Sequence, residues 1–433
     1  MNDLPARADV VVIGSGGLGS ATAFYLARAG VDVVLLDKAA IASQTSPRAA
    51  GLSGTLRATE ANTRIAADGV RRIENFTAET GEPLVFHQPG SLKVARRAEH
   101  AEQLEDEVDR GRRLGLDVAM VSLDEARRLM PFLHTVGVRA VMHMRTDVYL
   151  EPKQLPEGFA RAAARLGAAV LPHTRVEEIM TEAGAVAGVR TDRGEIRAAT
   201  VVDAAGGWLR QVASLGGSAV GLVPTRHQLM ITVPLPDVRP EQPITRIIDA
   251  NVYIRPANGG LMLGGYEADP LQMDLSQVPA GFGIEDMPLD VEVLRRLARA
   301  VEDQFPVFRD VALQEHRGGL PTMTADGEHV LGPAPGLPGL WVIGGCCVGG
   351  LTTSPALGAL LAEWITEGRT SLDVSGMAPG RAATGLDDAE LLERCRVQYA
   401  HHYWSPATMP ASSPQPGVER GAWPTDAGMV LPN

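Results

Sequence analysis

The residues of this chain whose spacing speaks most directly of chemistry are glycines. Gly14-Ser15-Gly16-Gly17-Leu18-Gly19 has the spacing G-x-G-x-x-G. The first glycine permits a tight turn, the second lets a pyrophosphate approach backbone N–H groups, and the third lets a helix pack closely on a strand. Asp37 ends the next apolar run, where a carboxylate can accept hydrogen bonds from an adenosine ribose. A purely structural turn would explain the glycines alone; the strand before them, the helix after them and the acid at that distance favour a dinucleotide site. NAD and FAD are both open on these residues. A second glycine-rich stretch, 345–350, precedes Ser354-Pro355, which read as N-cap and first-turn residues of a helix ending near Glu367. Such a turn and helix start offer N–H donors and positive partial charge to the N1 and O2 edge of a reduced flavin. A strand-to-helix turn made only for packing has the same composition.

The first loop needs a strand, a helix and a second strand to hold it. Residues 10–13 form a β-branched run, 20–29 a helical pattern and 31–37 a second strand. A helical stretch follows over 62–80, then a highly charged one over 98–114 whose charges read as a solvated face. Ser122 with Glu125 makes a capping-box start to a short helix ending at Pro131. Over 176–202, short strands separated by Glu182-Ala183-Gly184 and Asp192-Arg193-Gly194 predict a meander. It leads through 201–208 back to the nucleotide-binding sheet. Residues 223–320 alternate strand-like runs with a helix near 291–304, as an antiparallel substrate sheet would. A strand at 340–343 precedes the second glycine loop, and the Pro-, Ser- and Gly-rich tail from about Ser405 reads as extended or partly disordered.

At 433 residues with 45% hydrophobic content, the chain can bury more than one core. Its formal net charge of -12 argues against nucleic acid or an anionic membrane surface as main partner, since either favours clustered Lys and Arg. Of the three cysteines, Cys346 and Cys347 are adjacent and cannot staple distant segments, so with Cys395 they predict no disulfide framework. The N-terminus MNDLPARAD lacks the basic and apolar regions of a secretory signal, and no apolar run approaches the roughly 20 residues that span a bilayer. A cytoplasmic protein without a metal site is the expectation.

Further motifs follow in order. They are Ala49-Ala50-Gly51-Leu52, Val201 to Trp208, Val223-Pro224 with His227-Gln228, Tyr253 with Arg255, Gly265-Tyr266-Glu267 and Gly332-Pro333. With the two loops they make the chain resemble, over nearly its whole length, flavoproteins of the D-amino-acid-oxidase superfamily, above all the FAD modules of dimethylglycine and sarcosine dehydrogenases. The resemblance implies an FAD cofactor. Gly14, Gly16, Gly17, Leu18, Gly19, Asp37 and Lys38 would hold its ADP part, and Val176 would contact adenine through its backbone, with Gly206 and Trp208 nearby. Thr45, Ser46, Arg48, Ala49, Ala50, Gly51 and Leu52 would run beside the pyrophosphate and flavin. Gly345, Cys347, Val348, Gly349, Gly350, Leu351 and Thr352 would border the isoalloxazine. His227, Tyr253 and Tyr266 would face the substrate as catalytic residues, although a lone His or Tyr in a sheet also serves as a satisfied core residue.

The fold class expected is α/β with an α+β substrate domain. A Rossmann-like FAD-binding domain is assembled from 1–85, 146–222 and 323–372, an antiparallel-sheet substrate domain from 86–145 and 223–322, and 373–433 forms a C-terminal extension. Two departures from the family pattern matter. The dehydrogenases that this chain resembles attach FAD through a histidine just before the Ala-Ala-Gly-Leu stretch, and here that residue is Arg48; Leu320-Pro321-Thr322 likewise lacks the cysteine that attaches FAD in monomeric sarcosine oxidases. Noncovalent FAD is therefore expected. An arginine near Leu320 or a lysine near Thr352, which clamp the substrate carboxylate in relatives, is missing too, leaving Arg57, Arg255 or Arg226 for that role.

The activity implied is oxidation of a secondary or tertiary, N-methylated amine to an iminium, which water hydrolyses to formaldehyde and the demethylated amine. O2 or an electron-transfer protein would be the acceptor. An unmethylated amino acid or a 2-hydroxy acid stays open as substrate. So does a flavin subunit that needs a partner, because full-length relatives continue into a folate-binding module and this sequence stops at Asn433.

Overall fold

The computed structural model describes residues 3–383 and 386–404; the tail from Ser405 lies outside them. Short Val- and Leu-rich runs form the first sheet. Val10–Ile13 lies at its centre, parallel to Val33–Leu36 on one side and Thr200–Asp203 on the other. Ala169–Leu171 extends it beyond Val33–Leu36, while Leu340–Gly344 and the antiparallel edge strand Val330–Pro333 extend the opposite side. Strands covered on both faces carry near-continuous apolar residues. Helices Gly17–Arg28, Gln154–Arg165 and Gly350–Glu367 cover one face around Phe24, Leu26, Phe159 and Leu357. The three-stranded meander Val176–Glu182, Ala185–Thr191 and Gly194–Arg197 covers the other through Ile179, Val189 and Ile196. This is the expected Rossmann-like α/β arrangement.

The second sheet has eight strands, in the order Leu313–Gly319, His227–Thr232, Gly260–Gly265, Val252–Ala257, Ile244–Ile247, Ser91–Ala95, Ala140–Met144 and Val118–Val121. Only Ile244–Ile247 and Ser91–Ala95 pair in parallel. Helix Val291–Ala300, N-capped by the Asp290 carboxylate on the Glu292 N–H at 2.9 Å, packs on one face through Val293, Leu294 and Leu297. The other face carries Leu229, Ile231, Tyr253 and Met262 and is closed by helix Asp388–Ala400 through Leu391, Cys395 and Tyr399.

Several boundaries differ from the sequence reading. The helix at 62–80 is two helices, Glu60–Glu74 and Phe76–Thr80, separated at Asn75, whose ψ of 8° leaves the helical range. In Ala98–Arg113 the charged face is not wholly solvated: Gln103 and Glu107 are buried, and Lys93 Nζ donates to Glu107 at 2.6 Å. The helix after the second glycine loop starts at Gly350 rather than at Ser354-Pro355, so Pro355 lies inside it. A proline there leaves the Leu351 carbonyl without its helical donor, and Ser354 Oγ donates to that carbonyl at 3.4 Å. All three cysteines are free. Among the described residues no helix is long and apolar enough to cross a membrane, and no group of three or more His, Cys, Asp or Glu side chains is placed to hold a metal.

Candidate cofactor and substrate site

A cavity of about 360 Å³ opens beyond the C-terminal ends of the parallel strands, where open α/β sheets bind ligands. Gly14, Gly16, Asp37, Lys38, Thr45, Ser46, Val176, Gly206 and Trp208 line it, together with Thr174, Arg175 and Ala205, which the sequence reading had not assigned to a ligand. Gly14 has φ of 102°, and a Cβ on it would stand 2.5 Å from the Ala204 carbonyl oxygen. A Cβ on Gly19 would drive into the Gly14 carbonyl. These two glycines let strand, helix and neighbouring loop approach one another, so Gly19 acts in packing and does not line the cavity. Gly17 and Leu18 also stay off its wall: the Gly17 N–H donates to Ser46 Oγ at 3.0 Å, and Leu18 packs against the core.

Asp37 holds the glycine loop in place. Its carboxylate accepts the Ser15 N–H at 2.8 Å, the Ser15 hydroxyl at 2.6 Å and the Ala39 N–H at 2.9 Å, which pins the glycine loop to the second strand. Lys38 Nζ sits 3.6 Å from the centre of the Trp208 ring and donates to the Phe282 carbonyl at 3.1 Å; burial pulls its pKa down. Helix Gly17–Arg28 has no acidic residue in its first turn and no cap from its N-cap residue Gly16; apart from the Gly17 amide taken by Ser46, the positive end of its dipole is left for a ligand. Open glycine surface, a carboxylate and a helix start without an acidic residue fit the ADP part of a dinucleotide.

The second glycine loop meets the Ala49 to Leu52 stretch. Gly345, Cys347 and Val348 all have positive φ, 59°, 40° and 64°, a costly conformation for a β-branched residue. The turn is held by the Cys347 N–H on the Thr322 carbonyl at 2.9 Å and the Gly349 N–H on the Cys346 carbonyl at 2.7 Å. Helix Gly350–Glu367 starts there with no side-chain cap, leaving the first amides, those of Gly350, Leu351 and Thr352, without helical partners. Thr352 Oγ1 donates to the Leu52 carbonyl at 3.1 Å. Gly51 has φ of 72°, and a Cβ there would strike the Leu150 carbonyl. The Ala50 carbonyl accepts Arg255 Nε at 2.7 Å, and the Ala49 carbonyl accepts Arg317 Nη2 at 3.4 Å. Arg48 turns away, donating to the Ser43 and Gln44 carbonyls and pairing with Glu285 at 3.5 Å. Burial pushes the Cys347 thiol up to about 12, so it stays protonated against Thr324 Oγ1 at 3.3 Å.

On the antiparallel sheet, His227 opens its strand and sits between two phenols. Its Nε2 is 2.9 Å from Tyr253 Oη and its Nδ1 is 2.8 Å from Tyr399 Oη. Desolvation pulls the imidazole down to about 4 and raises all three tyrosines, Tyr253, Tyr266 and Tyr399, so near neutral pH the group is uncharged. Tyr266 lies 5.0 Å from the His227 ring, and its other side meets His402 at 4.4 Å and Tyr403 at 5.2 Å. Tyr399, His402 and Tyr403 were missed as site residues. A signal was available: Asp387 caps a helix in which Leu391, Cys395 and Tyr399 recur every four residues, an apolar stripe that must cover something.

The three arginines considered for a carboxylate are not equivalent. Arg255 gives Nε to Ala50 and Nη1 to the Pro256 carbonyl at 2.6 Å, and its guanidinium lies 4.7 Å over the Tyr149 ring. Arg226 donates to the Pro288 carbonyl at 3.0 Å and pairs with Glu267 at 3.5 Å. Arg57 is different. Its guanidinium has no hydrogen bond or ion pair among the described residues and lies beside Gly349, 3.6 Å from where a Cβ would stand. Burial first, then Arg246, pull its pKa down, with Asp147, Tyr266 and Tyr403 opposing.

Residues 9–364 match the family described as FAD dependent oxidoreductase, and the chain belongs to it; FAD is its cofactor. Within that family it is similar to the mitochondrial dimethylglycine dehydrogenase of Rattus norvegicus, 28% identical over 87% of this chain and 45% of the relative. It is 30% identical to the mitochondrial sarcosine dehydrogenase of Homo sapiens over 92% of this chain and 44% of the relative. The chain thus spans less than half the length of these curated relatives. Among solved structures, the L-proline dehydrogenase of P. horikoshii superposes with a TM-score of 0.79 at 25% identity, covering 87% of this chain and 98% of that one.

Proposed function

We propose that this protein oxidises a secondary or tertiary amine that bears a carboxylate, with an N-methyl group as the carbon that is oxidised. The observation that carries this is the unpartnered Arg57 guanidinium. A half-buried guanidinium with no ion pair or hydrogen bond among the described residues is costly, and a carboxylate answers it with charge-assisted hydrogen bonds. Similarity to dehydrogenases named for dimethylglycine and sarcosine, both N-methyl amino acids, supports the choice of amine.

Bound FAD supplies a two-electron acceptor for the hydrogen on the carbon next to nitrogen. Gly14, Gly16 and Asp37, with Lys38, Thr45, Ser46, Val176, Gly206 and Trp208, would hold its ADP part. Ala49 to Leu52 and the loop from Gly345 to Thr352 would border its ring, the helix start favouring negative charge there. Arg57 anchors the carboxylate and so orients the amine. An ammonium cannot release a hydride-equivalent, because its lone pair is bound to a proton. Tyr253 Oη accepts that proton while its own passes to His227 Nε2, a neutral base at the operating pH. Tyr266, Tyr399 and Tyr403 exclude water around this pair. Arg48, committed to backbone carbonyls, leaves FAD noncovalent.

The test is a panel of amines matched in size, with and without N-methyl and carboxylate groups, scored by bleaching of the flavin and release of formaldehyde. Bleaching with formaldehyde is expected from carboxylated N-methyl amines alone. Equal rates without the carboxylate, or bleaching without formaldehyde, would overturn the reading. Acid precipitation should leave the yellow colour in the supernatant; colour in the pellet would contradict noncovalent binding.

A further inference from the structure

The helix Asp388–Ala400 and the turn after it belong to neither sheet, yet they place a hydroxyl on the central imidazole. We infer that Tyr399 is a positioning residue for His227, selecting the tautomer in which Nδ1–H donates to Tyr399 Oη and Nε2 is free to accept. The inference rests on the reading of His227 as the base that receives the amine proton through Tyr253.

Neutral imidazole has one donor nitrogen and one acceptor. With a phenol on each side, one bond must run outward from the ring and the other inward. Only the tautomer protonated at Nδ1 lets Nε2 take a proton from Tyr253. An Nε2–H tautomer would donate to Tyr253 and could take nothing from it. Tyr399 is 1% exposed, and its ring meets His227 at 74° and Tyr266 at 75°. The phenol therefore cannot swing away to water.

The register of this helix is fixed by donors and acceptors from the substrate sheet, its loops and the helix Ala98–Arg113. Asn251, at the Ile244–Ile247 to Val252–Ala257 turn with φ of 52°, gives Nδ2 to the Ala400 carbonyl at 2.9 Å and accepts the Tyr403 N–H at 3.4 Å. Gln103 Nε2 donates to the Tyr403 carbonyl at 2.9 Å, and Gln272 Nε2 to the Leu392 carbonyl at 2.8 Å. Trp404 Nε1 donates to the Ile248 carbonyl at 3.3 Å. Five side-chain bonds tie a short segment to the sheet and the elements packed on it, and the imidazole is oriented as a result.

The experiment compares the full-length holoprotein with Tyr399→Phe, which keeps the ring and deletes one oxygen. Nitrogen NMR of the histidine-labelled protein reads the His227 tautomer directly, whether or not any amine turns over. Wild type should show one neutral tautomer protonated at Nδ1, and Tyr399→Phe should show a mixture or the Nε2–H form. With a reactive amine, kcat should fall about tenfold, the scale of one lost hydrogen bond, with KM, flavin content and melting temperature little changed. Averaging tautomers or an Nε2–H form in wild type would overturn the inference even if the variant did not fold. So would a Tyr399→Phe spectrum like that of wild type, or a loss of rate that merely tracks loss of flavin. Should every amine in the panel fail while the tautomer still depends on Tyr399, the proposed function falls and the positioning role stands.

Discussion

At the ends of the parallel strands the working groups are backbone amides, one carboxylate and glycines that make room. Against the antiparallel sheet they are side chains, drawn from the sheet, helix Asp388–Ala400 with the segment after it, and residue 57: two imidazoles, four phenols and a guanidinium. The first site is local, with Gly14, Ser15, Gly16, Gly17 and Asp37 joined through two strands and one turn. The second is drawn from residues near 57, 227, 253, 266 and 399. Backbone sites depend on what a side chain would obstruct, whereas side-chain sites depend on which partners are already taken. The two should therefore break differently.

The largest effect is expected in the backbone site. Gly19→Val places branched atoms against the Gly14 carbonyl and should cost about 3 kcal/mol or more of stability, the upper range for overpacking. Flavin retention should be lost with it, read from the ratio of flavin to protein absorbance and from the melting curve. A variant that keeps its flavin and melting temperature would show that the strand and helix have slack. Arg57→Met comes next, on the substrate side. It should raise KM for a carboxylated amine about 10- to 100-fold, the range for a charge-assisted hydrogen bond of about 1.5 to 3 kcal/mol, with flavin content unchanged. If KM holds and flavin is lost, Arg57 serves the cofactor instead, and the division between the two sites fails.

The pH dependence of stability should follow the side-chain site and its neighbours. His227 is pulled down to about 4, and His329 and His402 to about 3, by desolvation first. Below about 6.5 the unfolded chain binds protons that these native imidazoles refuse, so unfolding takes up protons and stability falls with falling pH. The stabilisation is fully present above about 6.5 and is lost progressively toward pH 3. Each histidine contributes a slope of at most about 1.4 kcal/mol per pH unit. His329→Gln, which can keep the bond to Thr353 Oγ1 now at 3.0 Å, should flatten the fall in melting temperature between pH 6 and 4. An unchanged slope would mean that His329 is protonated in the native state. The smallest expected effect is that of Ser354→Ala, which removes the hydroxyl that answers the Leu351 carbonyl. It should cost about 1 kcal/mol, measured by chemical denaturation; no change would leave that carbonyl satisfied otherwise.

The glycine-loop part of the backbone site was legible in the sequence because its residues are contiguous and each glycine answers a local steric demand, whereas the lining from 174–176 and 205–208 is not contiguous with them. The strand and helix pattern around Gly14 to Gly19, the meander over 176–202 and the alternating strands after 223 are local periodicities, and the α/β and antiparallel parts of the fold follow from them. Helix starts were less legible. Ser354-Pro355 carry the composition of an N-terminus, but the chain is already helical at Gly350, directly after the loop's positive-φ residues. The catalytic candidates His227, Tyr253 and Tyr266 entered through resemblance to a family, since one histidine and two tyrosines spaced tens of residues apart form no local pattern.

Residue types and spacing alone determined that this chain has a dinucleotide loop, two kinds of sheet and no histidine at position 48. Which arginine is free was a tertiary matter: Arg57, Arg226 and Arg255 are alike as letters, and only the carbonyls and carboxylate packed around two of them distinguish the third. The same holds for Tyr399, some 170 residues from His227 in sequence and 2.8 Å from it in space. Local sterics are written in neighbouring residues, but the occupation of a donor or a charge is settled by whatever distant segment folds against it.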